Sequence, residues 1–284
     1  PLDSASATLR HMAAGAFSEG LEGLEEGLSI LETGCANVRW ECSAARSSIL
    51  NCLFWQGDLA GMRERAPLWR RDAERVGDVY DLVTNELYCA VLDLAADAPT
   101  RARARSRAAI AKWSQSRFLF QHWLATKIAV WCDLYEGDPE RAQQRIEEIW
   151  RPLGRSGLMR VQLVALDAHL CRGRVALAEA RRVGSSWRRR RYLKIVAASA
   201  DALDKIDRRA ARAGRDLLRA QVAMLQPGWE RDGAATEQLE RAATNFETVG
   251  AVLHARVVRG LTTASGVYPA LTALGIREPV RWTR

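Results

Sequence analysis

The chain has 284 residues, 48% hydrophobic and 27% charged, which suffices for a continuous core and a wet exterior in one or two domains or one elongated array. No apolar run approaches the ~18–20 residues that a bilayer-spanning helix needs. Net charge is +8, but residues 181–219 hold 13 Lys/Arg against four acids, so the remainder is close to neutral.

The opening PLDSASATLRHMAAG has neither an initiator Met nor a leader pattern. It predicts a piece cut from a longer, cytoplasmic polypeptide. A first helical pattern follows in AFSEGLEGLEEGLSIL, whose Ser18 lies 40 residues before Asp58. Apolar steps of three and four predict a helix over 41–56 that ends at Gly57-Asp58, and a second over 59–76 with Trp69 near its end. The next pair spans 79–95 and 99–115 and turns at Ala96-Asp97. In 121–135, QHWLATKIAVWCDLY, the residues Trp123, Leu124, Ile128, Trp131, Cys132 and Tyr135 share one stripe. Gly137-Asp138-Pro139 breaks that helix, because Gly tolerates the turn and Pro suits a new first turn. ERAQQRIEEIWRPL then forms the second helix of the pair, and Gly154 and Gly157 mark its exit.

The spacing of these turns predicts a repeat. Asp58, Asp97 and Asp138 are separated by 39 and 41, and CLFWQGD (52–58) returns as CDLYEGD (132–138) after 80 residues. Cys52, Cys89, Cys132 and Cys171 follow at gaps of 37, 43 and 39, and with no CxxC neither a zinc ribbon nor a thioredoxin motif is present. The motif is therefore architectural. Cysteine fills the inward face of each first helix, and Gly-Asp makes the turn with Asp capping the second helix. A fourth unit is expected from 158, LMRVQLVALDAHLCRGRVALAEARR, with its turn at Arg172-Gly173-Arg174. A helix pair cannot bury its apolar face alone and stacks on a copy of itself.

After 182 the period loosens. Residues 188–225 are strongly helical, as one helix or two, and PGWERDG (227–233) is a loop. Helices are expected over 234–248 and 251–263 and near 268–274, with GIREPVRWTR as an exposed tail. The expected fold is all-α: a right-handed α-solenoid of tetratricopeptide-like hairpins, about 40 residues per unit and roughly six units in one domain, 1–284. Regular units fill about 1–182, looser basic units about 183–263, and a short helix and tail 264–284.

The phrases RWECSAARSSILNCLFWQGDL, FLFQHWLATKIAVWCDLYEGDPERA and LMRVQLVALDAHLCRGRVAL, with the closing GIREP, resemble the C-terminal helical-repeat region of large bacterial serine/threonine protein kinases. In that family a kinase domain and an ATPase-like module precede the array. The resemblance implies a regulatory or interaction region, and it carries over no catalytic residue.

Chemistry is sparse. No GxGxxG loop, HRD or DFG triplet occurs, and no lysine follows a glycine as a Walker A loop requires. His11, His122, His169 and His254 are scattered without metal-ligand spacing, and Glu22, Glu25, Glu26, Glu147 and Glu148 read as solvated helix faces. Trp55, Trp69, Trp131 and Trp150 fall on repeat or stripe positions and read as core. No catalytic, cofactor or metal residue is expected. Arg188, Arg189, Arg190 and Arg191 are not required by the repeat: they read as a solvated helix entry or as a patch for an anionic partner. The expected function is non-catalytic protein–protein interaction, as sensor or scaffold of a signalling kinase, with a protein or peptide on the concave face. Two alternatives stay open: an effector-binding region of an ATPase-type transcription regulator with a ligand inside the superhelix, and nucleic-acid binding through 181–219.

Overall fold

Helices form where the apolar steps of three and four run unbroken, and a residue able to adopt left-handed backbone ends several of them. The computed structural model describes residues 17–184, 186–229, 233–261 and 264–282, so the opening segment and His11 lie outside the described residues. Within them are fourteen α-helices, one 3-10 turn (Leu158–Arg160) and no strand. They are α1 (Phe17–Gly34), α2 (Arg39–Gln56), α3 (Leu59–Val76), α4 (Val79–Ala95), α5 (Pro99–Ala111), α6 (Phe120–Tyr135) and α7 (Pro139–Arg155). Then come α8 (Gln162–Arg182), α9 (Ser186–Asp204), α10 (Arg209–Ala223), α11 (Ala234–Thr248), α12 (Val252–Arg259), α13 (Ala264–Ala273) and α14 (Pro279–Trp282). The basic stretch is thus two helices, broken over 205–208.

Gly57 closes α2 at φ 80°, and Asp58 then caps α3 by accepting the Gly61 N–H at 2.8 Å. Gly137 (φ 81°) and Asp138 repeat the device before α7, where Asp138 accepts the Arg141 N–H at 3.0 Å. A cap of this kind contributes about 1 kcal/mol. Asp97 departs from the expected pattern. It is not a cap but adopts φ 57°, the left-handed seat that Gly57 and Gly137 hold 40 residues to either side. Ala98 stands at the cap position with no side-chain bond. Asp tolerates this backbone because its short carboxylate can bond nearby groups. The 39 and 41 spacing of the three aspartates thus hides a regular 40. Gly77-Asp78 makes a further turn of the same type between α3 and α4, with Gly77 at φ 73° and Asp78 accepting the Asp81 N–H at 3.0 Å.

The fourth unit also differs from expectation. Arg172-Gly173-Arg174 is not a turn, since α8 runs unbroken from Gln162 to Arg182. Gly173 is there for proximity: a Cβ on it would stand 2.5 Å from Leu218 Cδ1, so α10 lies almost against the backbone of α8.

Successive helices pack on one another, and the even-numbered helices also touch along an inner row: α2 on α4, α4 on α6, α6 on α8, α8 on α10. Cys52, Cys89, Cys132 and Cys171 are buried free thiols, one on each of α2, α4, α6 and α8. Burial pushes the Cys52 and Cys132 thiols up to about 12, which keeps them protonated and inert.

The row then returns on itself. α12 packs against α2, and the Phe17 N–H donates to Val249 O at 2.9 Å. Phe17, Trp55 and His254 stack in series, with ring centroids 4.9 and 4.2 Å apart. GIREPVRWTR, expected as an exposed tail, docks through its described part. Ile276 is buried, the Arg277 N–H donates to Ala95 O at 3.0 Å, and Arg63 donates to Gly275 O at 2.9 Å. Arg281 meets Asp97 at 3.2 Å. The pattern alone could not show this, because a short polar segment becomes ordered only when other backbone accepts its hydrogen bonds.

Candidate functional site

The residues singled out in the sequence are structural or dispersed. Gly57, Asp58, Asp97, Gly137 and Asp138 stand at helix corners, and Gly57 and Asp97 also receive the returning C-terminal segment. Arg188–Arg191 occupy the first turns of α9, where consecutive side chains point about 100° apart, so the four fan around the helix and only Arg188 and Arg191 share a face. Arg188 lies 5.5 Å from the Trp187 ring, Arg189 donates to Leu225 O at 3.2 Å, and Arg191 approaches Glu147 at 3.6 Å. Further along, Arg212 pairs with Asp207 and Arg219 with Asp201, both at 3.1 Å, and Arg215 binds Asp204 and Asp216. All four acids of the basic segment are thus paired, against its 13 Lys/Arg.

A site that the sequence reading passed over lies inside the inner row. A cavity of about 90 Å³ opens between the even-numbered helices. Its apolar wall includes Phe54 of α2, Trp131 of α6, Leu177 of α8, Leu217 of α10 and Leu253 of α12. Tyr135 and Trp282 belong to its rim together with Arg281, so the docked C-terminal segment completes the enclosure. The polar members are Arg174, Arg181, Arg281, Gln221 and His254; among the described residues no carboxylate lines it.

The state of the cations distinguishes this cavity. Many arginines elsewhere face carboxylates: Arg46 bridges Glu32, Asp72 and Asp81 at 2.8–3.2 Å, and Arg103 and Arg145 both clamp the fully buried Asp133, while Arg172 lies 4.1 Å from the Trp150 ring with a buried, unpartnered Nε. Lys127, behind the cavity wall, is held by Asp167 at 2.7 Å with its ammonium 4.8 Å from the Trp131 ring centre. Arg281 at the rim has Asp97. Arg174 and Arg181 have no hydrogen bond or ion pair among the described residues. Arg174 keeps some accessible surface toward the cavity but is surrounded by protein, and this desolvation pulls its pKa below the usual arginine value. Arg181 is shifted the same way, by burial and then by Arg174. His254 is held down to about 3, first by burial and then by Arg174 and Lys127, so its ring is neutral at pH 7. Its Nδ1 is buried without a partner.

A sequence signal for the site existed. Leu170, Arg174, Leu177 and Arg181 advance by 4, 3 and 4, so two arginines occupy an inward apolar stripe. The expected turn at 172–174 hid it by cutting the helix in two.

Among the described residues no three of His, Cys, Asp and Glu converge as a metal site would require, and no helix is long and apolar enough to cross a membrane. No family model, curated protein or solved structure matches the chain.

Proposed function

We propose that this chain is the non-catalytic sensor region of a bacterial signalling protein, a right-handed superhelix of tetratricopeptide-like hairpins that holds an effector inside its inner row. The resemblance to the C-terminal region of large serine/threonine protein kinases favours a kinase as the parent. An ATPase-type transcription regulator could use the same device, and a test for protein kinase activity in the natural full-length polypeptide distinguishes the two.

The single observation that supports a ligand inside the array, rather than a peptide along an open concave face, is the cavity with two unpaired arginines in its wall. A desolvated cation without a counter-charge destabilises a fold, and Arg174 is one, while Arg181 stays exposed. Groups of this kind concentrate where a ligand supplies the missing partner.

The test is a thermal-shift screen of the folded chain against a metabolite collection, run beside Leu177→Trp, which fills the cavity. The expected outcome is a compound that raises Tm for the natural chain and not for the variant. A screen with no such compound sinks the reading.

A further inference from the structure

The proposed sensor reading says that something lodges in the cavity, and the lining says what its chemistry is. The wall is mostly aliphatic and aromatic, so the body of the ligand is apolar. The charges facing it are positive, and two of the three, Arg174 and Arg181, have no carboxylate partner, so its head is an anion. Arg174 and Arg181 lie seven residues apart on α8, about 10 Å along the axis, so they act at different depths and not as one clamp. Arg174 is the enclosed one and Arg181 is exposed near the entrance. A single planar guanidinium matches the two oxygens of a carboxylate through paired N–H donors, whereas a phosphate dianion calls for more donors than one arginine and a neutral imidazole present. His254 completes the pocket, stacked on Trp55 at 4.2 Å with an unpartnered ring nitrogen. At roughly 10–15 Å³ per water-sized position, the cavity has room for a handful of such positions, which fits a ligand of about ten non-hydrogen atoms.

Resting on the sensor reading above, we infer that the cavity takes a small monocarboxylic acid. Its carboxylate is bound by the Arg174 guanidinium and its apolar body lies against Trp131, Leu177 and Leu253. Arg181 draws the anion toward the entrance, and the C-terminal segment that seats Trp282 at the rim closes over it.

Isothermal titration of the intact chain with benzoate, butyrate, benzamide and inorganic phosphate tests this. The expected result is binding of at least one of the two acids, with benzoate at least tenfold tighter than its neutral isostere benzamide and phosphate weaker than either acid. Arg174→Met weakens acid binding by about tenfold to a hundredfold, the loss of a charge-assisted bond pair. The same variant raises Tm without ligand, because a desolvated and unpaired charge has been replaced by an apolar chain of similar length. Arg174→Lys, which keeps the charge and loses the fork, binds with intermediate affinity. Equal binding of benzoate and benzamide, preference for phosphate, full affinity in Arg174→Met, or no binding of either acid each overturns the inference. A neutral compound that binds the natural chain and not Leu177→Trp overturns this inference while leaving the sensor reading intact. Absence of any cavity ligand sinks both.

Discussion

The two halves of the molecule differ in how the arginines nearest the inner row are paired. From α2 to α7 the repeat is regular, with left-handed seats at Gly57, Asp97 and Gly137 forty residues apart. There the inward-facing arginines are consumed by structure: Arg46 by three carboxylates, and Arg103 and Arg145 by Asp133. From α8 onward the period lapses, and Arg174 and Arg181, which line the cavity, meet no carboxylate. The first region holds its shape with charge pairs. The second also pairs Arg182, Arg212, Arg215 and Arg219 with carboxylates but leaves Arg174 and Arg181 unpaired beside the cavity, where the proposed ligand would supply the partner.

The strongest test of the contrast is to give the regular half an unpaired charge. Asp133→Ala removes the carboxylate between Arg103 and Arg145, and Arg103 has little exposure through which water could compensate. The expected destabilisation is about 3 kcal/mol, at the low end for breaking a buried pair because Glu136 remains beside Arg103. Urea titration followed by circular dichroism reads it, and a loss under 1 kcal/mol would show that the pairs do not hold the array.

A smaller effect separates the ordinary corners from those that receive the C-terminal segment. Gly57 and Gly77 share left-handed backbone, at φ 80° and 73°. A Cβ on Gly77 meets open space, whereas one on Gly57 stands 3.0 Å from Leu253 Cβ and 3.2 Å from Leu274. Gly77→Ala should cost about 1 kcal/mol, the backbone term alone. Gly57→Ala should cost about 2 kcal/mol, because α12 has to give way as well. Equal losses for the two variants would mean that α12 is not seated on α2.

The smallest effect per pH unit is a pH dependence carried by two imidazoles, His254 at the closure and His169 beside Trp150. His254 is held down to about 3, and His169 to about 4 by burial and the neighbouring Arg172. The unfolded chain therefore protonates both imidazoles below about 6.5 while the folded chain leaves them neutral. Their contribution is fully present above pH 6.5 and is lost as pH falls toward 4. Between pH 6 and 5 each ring should remove about 1 kcal/mol per pH unit. His254→Phe keeps a ring on Trp55 and removes one titration, so its stability should fall less steeply with acid than that of the natural chain. Identical slopes would place His254 in water.

Much of the array was legible before any coordinates. Residues 59–76, 79–95 and 234–248 were delimited as helices to the residue, because apolar periodicity and Gly-Asp breaks are local signals. Asp97 misled, since an aspartate at a turn reads as a cap, and only the backbone angle shows that it sits where glycine sits elsewhere. Arg172-Gly173-Arg174 misled for a related reason. A glycine flanked by charges reads as a break, yet Gly173 serves the approach of Leu218 from a helix more than forty residues away. Arg174 and Arg181 were visible on an apolar stripe, but whether a carboxylate waited opposite them depended on six other helices.

The amino-acid sequence by itself determined the helices, most of their corners and the forty-residue period, because these follow from contacts within a turn or two of chain. Tertiary structure alone decided that the inner row bends until α12 meets α2, that the closing segment docks on the corners at Ala95 and Asp97, and that the cavity so enclosed holds cations without partners. Each of these is a relation between surfaces that are distant along the chain, where burial and the absence of a neighbour carry the energy.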